Sequence, residues 1–271
     1  MNNESRPIGV FDSGIGGLTV LKEIHSRFPH ENTVYLGDTA RVPYGIRSPE
    51  TVIRYSFENT RFLFSKEVKM VVIACNTASS VSLDQVKNSV SIPVIGVIEP
   101  GAKAAVAATL NKKIGIIGTE ATIRSNSYTR AINSLDSTIE VFGIACPLFV
   151  PLVEEGWTEG KIAEMIAKEY LLEIRRKEID TLVLGCTHYP LLKKILSSVM
   201  GDGVKLIDSA IETAGEIEAI LSRLSLLNTS GQKSTNEFFV TDSPDKFRTV
   251  GERFLGKQIP DIHKIKLEME I

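Results

Sequence analysis

Cysteine is scarce in this chain: three thiols among 271 residues, an odd number and too small for a disulfide framework. No apolar run approaches the roughly 18–20 residues that a membrane span needs. The polar stretch Met1 to Pro7 leads straight into a strand, with no signal-peptide core. Charge of one sign is also missing. With 31 basic and 33 acidic residues the formal net charge is −2, which leaves no electrostatic footprint for nucleic acid or anionic lipid. No cysteine or histidine pair stands at CxxC or HxxxH spacing, so a metal site lacks support. Apolar residues at 43% and charged residues at 24% fit a folded protein. Together these absences predict a reduced, cytoplasmic, globular protein with no metal, no nucleic-acid partner and no membrane span.

What is present is alternation. Ile8–Phe11, Thr33–Leu36, Val68–Ala74 and Pro93–Ile98 read as strands, separated by helical spacing over Gly17–Phe28, Pro49–Lys66 and Ala78–Ser89. The pattern resumes with strands at Lys113–Gly118, Glu140–Ile144, Thr181–Gly185 and Val204–Asp208. Helices are expected at Ser125–Leu135, Thr158–Arg176, Leu191–Val199 and Ala210–Leu224. After a polar loop at Asn228–Asn236, a further strand at Glu237–Thr241 and a helix at Asp245–Leu255 follow. Strands alternating with helices predict an α/β fold built on mostly parallel sheet.

A repeat lies beneath the alternation. Ile8–Ser13 resembles Ile114–Thr119 at an offset of 106, and Val71–Thr77 resembles Leu182–His188 at an offset of 111. Val94–Glu99 and Lys205–Asp208 both end on an acidic residue, at an offset of 109. Three matches in one order at nearly one offset point to duplicated halves.

The repeat makes two of the cysteines informative. Cys75 and Cys186 each follow an apolar run and a small residue, and each precedes amide or hydroxyl side chains. Ligands in open α/β sheets bind beyond strand carboxyl ends. Two thiols so placed could face one pocket, and a helix start would lower their pKa values. Either cysteine alone would more often be a small core residue; Cys146, without a counterpart, is expected to be one. His188, two residues beyond Cys186, could exchange a proton with that thiol, though a lone histidine is commonly structural. Glu154 and Glu155 could begin a helix, or one could reach this histidine. The glycine-rich turn Asp12-Ser13-Gly14-Ile15-Gly16-Gly17 opens a helix, where an anion is favoured. It is not GxGxxG, so a dinucleotide is not expected. Asp12 could act on a substrate amine, or simply cap a tight turn.

These segments together resemble the glutamate racemases, cofactor-independent members of the aspartate/glutamate racemase superfamily. The likeness rests on Phe11–Gly17, Gly37–Gly45 (GDTARVPYG), Ala74–Ala78 (ACNTA) and Leu184–Pro190 (LGCTHYP), within about residues 6–224. It implies two pseudo-symmetric α/β domains, each a mostly parallel sheet flanked by helices, with the active site in the cleft between them. The first domain would be residues 1–98 plus 209–271, the second 99–208. It implies interconversion of L- and D-glutamate without a cofactor, supplying D-glutamate for peptidoglycan, with Cys75 the base for D-glutamate and Cys186 for L-glutamate. Asp12, His188 and Glu154, with Glu155 as the alternative to the last, would support the thiols. Ser13, Tyr44, Gly45, Asn76, Thr77, Thr119, Thr122 and Thr187, with Asp12 and His188, would hold the substrate. A homodimer is left open.

The chemistry agrees with the likeness. Inverting a carbon centre requires a proton taken on one face and delivered on the other, hence two acid/base groups. With no pyridoxal phosphate to spread the carbanion's charge, preorganised donors in a dry pocket must stabilise it. Three other readings compete: an aspartate or hydantoin racemase, a non-catalytic amino-acid-binding protein with structural thiols, and a redox enzyme with a Cys75–Cys186 disulfide.

Overall fold

Ile8–Asp12 forms β1, and all five of its residues are buried, as a strand covered on both faces requires. The computed structural model describes residues 3–267; residues 1–2 and 268–271, which the expected first domain includes, lie outside them. β2 (Thr33–Gly37) and β3 (Met70–Ile73) pair with β1 in parallel, placing Thr33 and Met70 beside Ile8. β4 (Val94–Gly96) continues past β3.

A second parallel sheet comprises β5 (Lys113–Gly118), β6 (Glu140–Ala145), β7 (Thr181–Gly185) and β8 (Lys205–Asp208). Its order, β6-β5-β7-β8, copies the order β2-β1-β3-β4 of the first. The expected duplication is therefore a duplication of topology, with β3 and β7 as equivalent strands. The chain then returns to the first sheet. β9 (Asn236–Val240) pairs with β2, and β10 (Ile262–Lys264) pairs with β9, completing six strands.

Helices cover both sheets. In the first half these are α1 (Leu18–Arg27), α2 (Pro49–Ser65) and α3 (Asn76–Lys87), with α4 (Ile98–Ala108) crossing to the second. Next come α5 (Glu120–Arg124), α6 (Ser127–Leu135), α7 (Phe149–Glu154), α8 (Lys161–Arg175) and α9 (Lys193–Met200). α10 (Ser209–Arg223) and α11 (Pro244–Leu255) belong to the returning chain. Sequence signals set the starts. Pro49 occupies the first helical position of α2 behind the Ser48 cap, and the Asp208 carboxylate caps α10 through Ala210 N at 2.9 Å. One apolar cluster joins the lobes, running from Val10 and Leu18 through Ile217, Leu221 and Phe254 to Leu182 and Leu184. Buried Lys69 anchors the return, donating to Glu31 Oε2 at 2.5 Å and to the Leu226 carbonyl at 2.7 Å.

Three expectations need correction. The strand expected over Pro93–Ile98 ends at Gly96, because Ile98 already begins α4. Glu99 therefore lies in a helical first turn near Lys87 at 3.8 Å and is not the counterpart of the capping Asp208. Glu154 closes α7 and Glu155 is its C-cap, so neither begins the next helix. Among the described residues no helix is long and apolar enough to cross a membrane.

Candidate active site

The carboxyl ends of equivalent strands deliver the chemistry. Asp12 is the last residue of β1; Cys75 follows β3 after Ala74 and is the N-cap of α3; Cys186 directly follows β7. Thr119 follows β5 and caps α5, accepting from Thr122 N at 3.3 Å. These ends converge on a cavity of about 150 Å³. Ser13, Tyr44, Gly45, Cys75, Asn76 and Thr77 line it from one lobe, and Thr119, Cys186, Thr187 and His188 from the other. Both thiols are buried, and both are free.

The two lobes touch where a side chain would not fit. A Cβ on Gly16 would lie 2.5 Å from His188 Nδ1 and would also strike Thr187 Oγ1. One on Gly45 would lie 2.9 Å from Thr119 Cβ. Across the same seam, Thr77 Oγ1 meets Thr119 Oγ1 at 2.9 Å and Thr122 Oγ1 at 3.3 Å.

The thiols have unequal neighbours. Cys75 Sγ donates to Ser13 Oγ at 3.6 Å. Cys186 Sγ is 3.9 Å from His188 Nδ1, and His188 Nε2 is 3.2 Å from Glu154 Oε1. An ionised Glu154 accepts the Nε2 proton, which leaves the Nδ1 lone pair facing the thiol. The His188 hydrogen bond holds the Glu154 carboxyl below its usual range, against its burial; the charge His188 carries once protonated, and that of Lys246, act in the same direction. Glu155 is exposed.

Burial pushes the Cys75 thiol up to about 11, with the charge of Asp12 adding to it and hydrogen bonds from Ala78 and Ser13 opposing. Burial raises Cys186 further, against a backbone hydrogen bond from His188. The expected lowering by a helix start is thus overridden, because desolvation outweighs a partial dipole charge here. Asp12 is itself raised by burial, opposed first by the charge His188 carries once protonated and then by the Gly14 N–H at 2.9 Å.

Not every expected residue is on the wall. Asp12, Thr122 and Glu154 stand behind it: Asp12 under Thr187, whose hydroxyl is 3.5 Å away, Thr122 behind Thr119, and Glu154 behind His188. The Tyr44 hydroxyl is committed to Asp38 and accepts from Asn59 Nδ2 at 3.1 Å. Tyr44 therefore offers the cavity its ring and main chain rather than its hydroxyl. Cys146 is fully buried away from the cavity, its carbonyl accepting from the Tyr189 hydroxyl at 2.9 Å.

Sequence reasoning missed an apolar fringe of Val42, Pro43 and Ile46 facing Pro147, Val150 and Pro151. The signal was apolar residues inside a loop, beside the motif residues Tyr44 and Gly45. It also missed α11. Lys246 Nζ lies 3.6 Å from Glu154 Oε2, Arg253 donates to the Glu154 carbonyl at 2.5 Å, and Phe254 meets the His188 ring edge-on at 5.1 Å. No local pattern marks these contacts. Among the described residues no cluster of three or more His, Cys, Asp or Glu side chains is arranged to hold a metal.

An α/β protein of two like lobes, each presenting one buried thiol to a shared cavity, is a defined class. The chain belongs to the Asp/Glu/Hydantoin racemase family, whose model matches residues 8–217. It is 52% identical to the glutamate racemase of Geobacter metallireducens over 98% of both chains. It is 48% identical to that of Chlorobaculum tepidum over 96% of both. The structure matches glutamate racemase from Francisella tularensis in complex with D-glutamate with a TM-score of 0.92 and 42% identity, over 98% of this chain and 99% of that one. The isoform RacE1 from Bacillus anthracis matches with a TM-score of 0.94 and 42% identity, over 97% and 98%.

Proposed function

We propose that the protein interconverts L- and D-glutamate by two-base proton transfer, without a cofactor. The observation that carries this reading is a pair of buried thiols at equivalent strand ends, Cys75 and Cys186, opening on one cavity. The relatives named as glutamate racemases support glutamate as the substrate. Aspartate is the runner-up substrate; the likeness to Picrophilus torridus aspartate racemase, at 19% identity and a TM-score of 0.52, concerns the fold alone.

For L-glutamate, the Cys186 proton passes to His188 Nδ1, and the thiolate removes the α-proton. Cys75, still a thiol, delivers its proton to the opposite face. For D-glutamate the same steps run backwards: Cys75, as the thiolate, removes the α-proton, Cys186 delivers its proton to the opposite face, and the Cys186 thiolate so formed recovers a proton from His188 Nδ1. Both pKa values are raised, so a thiolate needs a compensating positive charge, and the substrate ammonium supplies one. Ser13, Asn76, Thr77, Thr119 and Thr187, with the main chain at Tyr44 and Gly45, hold the carboxylates and ammonium. Preorganised donors of this kind replace the water that would otherwise solvate the carbanion. Asp12 and Glu154 act from behind the wall, on Thr187 and on His188.

The same reading assigns residues 1–98 with 209–271 to one domain and 99–208 to the other. It places the protein in the cytoplasm, supplying D-glutamate for peptidoglycan, with homodimer formation to be measured by light scattering.

A chiral assay on D-glutamate, run after dialysis against chelator with no cofactor added, tests the activity; aspartate is the control. In D₂O, loss of optical activity should accompany α-hydrogen exchange. Cys75→Ala and Cys186→Ala should each lower kcat by about 10²–10⁴-fold, the usual scale for a positioned acid or base. Wild-type racemisation by either variant would refute the two-base assignment.

A further inference from the structure

Asn76 begins α3 beside Cys75, is 2% exposed and lines the cavity. Its two amide ends are treated differently. Oδ1 accepts a 2.7 Å hydrogen bond from the Tyr128 hydroxyl, which reaches across from α6 in the other lobe. Nδ2 is buried with no acceptor among the described residues. A primary amide is nearly symmetric in shape, so its orientation is chosen by what it meets. A hydroxyl that donates must meet the oxygen, and the two N–H donors are then turned the other way.

Tyr128 is itself fixed, 2% exposed. Its ring lies between two glycines: a Cβ on Gly101 would be 3.2 Å from Cε1, and one on Gly185 would be 3.2 Å from Cε2. Gly185 immediately precedes Cys186. One side chain therefore touches the loops of both thiols, packing on one and hydrogen bonding to the other.

We infer that Tyr128 is a positioning residue for substrate capture: it locks the Asn76 amide with Nδ2 presented to a carboxylate of the bound amino acid, and it does so across the lobe seam. This rests on the proposed racemase activity and deepens it. A tyrosine serving packing alone has no need of an amide whose other end is left unpaired in the cavity wall. The missing acceptor is what a carboxylate supplies.

The test is Tyr128→Phe, which keeps the ring in its slot and frees the amide to rotate. The expected result is a rise of about tenfold in KM for both enantiomers, with kcat within about twofold, the pattern for lost uniform binding. Asn76→Ala should do the same, and adding Tyr128→Phe to it should change KM by less than about twofold, because the two act through one bond. Asn76→Asp preserves the acceptor for Tyr128 and deletes the donor, so it should raise KM without any change at position 128. Wild-type KM in Tyr128→Phe or in Asn76→Asp, or multiplicative effects in the double variant, overturns the inference. A wild-type enzyme inert towards glutamate would instead overturn the activity on which it rests.

Discussion

At position 16 the size of one methyl group decides whether the lobes can meet. Gly16 is not in the left-handed region, so the constraint is contact rather than backbone conformation. The atoms in the way are Thr187 Oγ1 and the His188 imidazole, 2.5 Å from a Cβ at Nδ1 and 2.6 Å at Cε1. That imidazole is the proton acceptor for Cys186 in the proposed mechanism, and its Nδ1 is already 3.9 Å from the sulfur. Gly16→Ala must push the ring outward, and a shift of about 1 Å in a catalytic contact costs on the order of 10²-fold in rate. The expected outcome is a comparable fall in kcat with an unshifted far-UV circular dichroism spectrum. Unchanged kcat would mean that the lobes accommodate the methyl group by moving apart. The two thiols were legible in the sequence because the repeat exposed them. The Gly16 contact was not, because Gly16 and His188 are far apart in the chain and only the fold makes them neighbours.

The returning helix α11 shows what an element can contribute to a site it does not line. Lys246, Arg253 and Phe254 all reach Glu154 or His188 in the other lobe. Their weights differ. Lys246 is 63% exposed at 3.6 Å from Glu154, and such pairs are worth about 0–1 kcal/mol. Lys246→Met should therefore change kcat by less than about fivefold. Phe254 is 1% exposed and supports the His188 ring. Phe254→Ala should cost about 3–5 kcal/mol, lower Tm by roughly 10 °C, and reduce kcat more than tenfold as the imidazole loosens. Enantiomers have equal free energy, so kcat/KM must remain equal in the two directions for every variant. A one-sided lesion at Cys186 thus appears as kcat and KM moving together in one direction, which progress curves from each enantiomer will show. Equal effects of Lys246→Met and Phe254→Ala on kcat would contradict this ranking. Long periodic elements were readable: β5 and β7 have the bounds expected of them. Short ones were not. α5 and α7 have five and six residues, too few to display a helical period, and β10 is the three-residue segment Ile262-His263-Lys264. The helix at α11 was anticipated, but its partners were not, since amphipathicity says that a face is buried and never against what.

For the whole molecule, acid stability should depend on the seam where the returning chain joins the first sheet. His25 of α1 is placed there, its Nε2 3.0 Å from Thr33 Oγ1 on β2, which in turn donates to Asn236 Oδ1 on β9 at 2.7 Å. Since the Thr33 proton is given to Asn236, Thr33 accepts from His25, and the imidazole is neutral with its proton on Nε2. Nδ1 is buried without a partner among the described residues, so no acceptor awaits a second proton. Burial first, then the charge of Lys257, lowers the His25 pKa from 6.5 to about 4, opposed by Asn236. The sign follows from proton counting. Between pH 6.5 and 4 the unfolded chain binds a proton at this position and the folded one does not. Stability is therefore unaffected by His25 above that window and falls as pH drops through it, by up to about 1.4 kcal/mol per pH unit and about 3 kcal/mol in all. Below pH 4 the loss levels off. His25→Gln retains an amide donor for Thr33 and cannot titrate. Carboxylates titrating near pH 4 act on both proteins alike, so the informative quantity is the difference between wild type and variant. That difference should be flat from pH 8 to 6.5 and then shift steadily in favour of the variant down to about pH 4, as read from urea midpoints. Parallel curves across the window would place the His25 ring in water, and the seam would then contribute nothing to acid sensitivity.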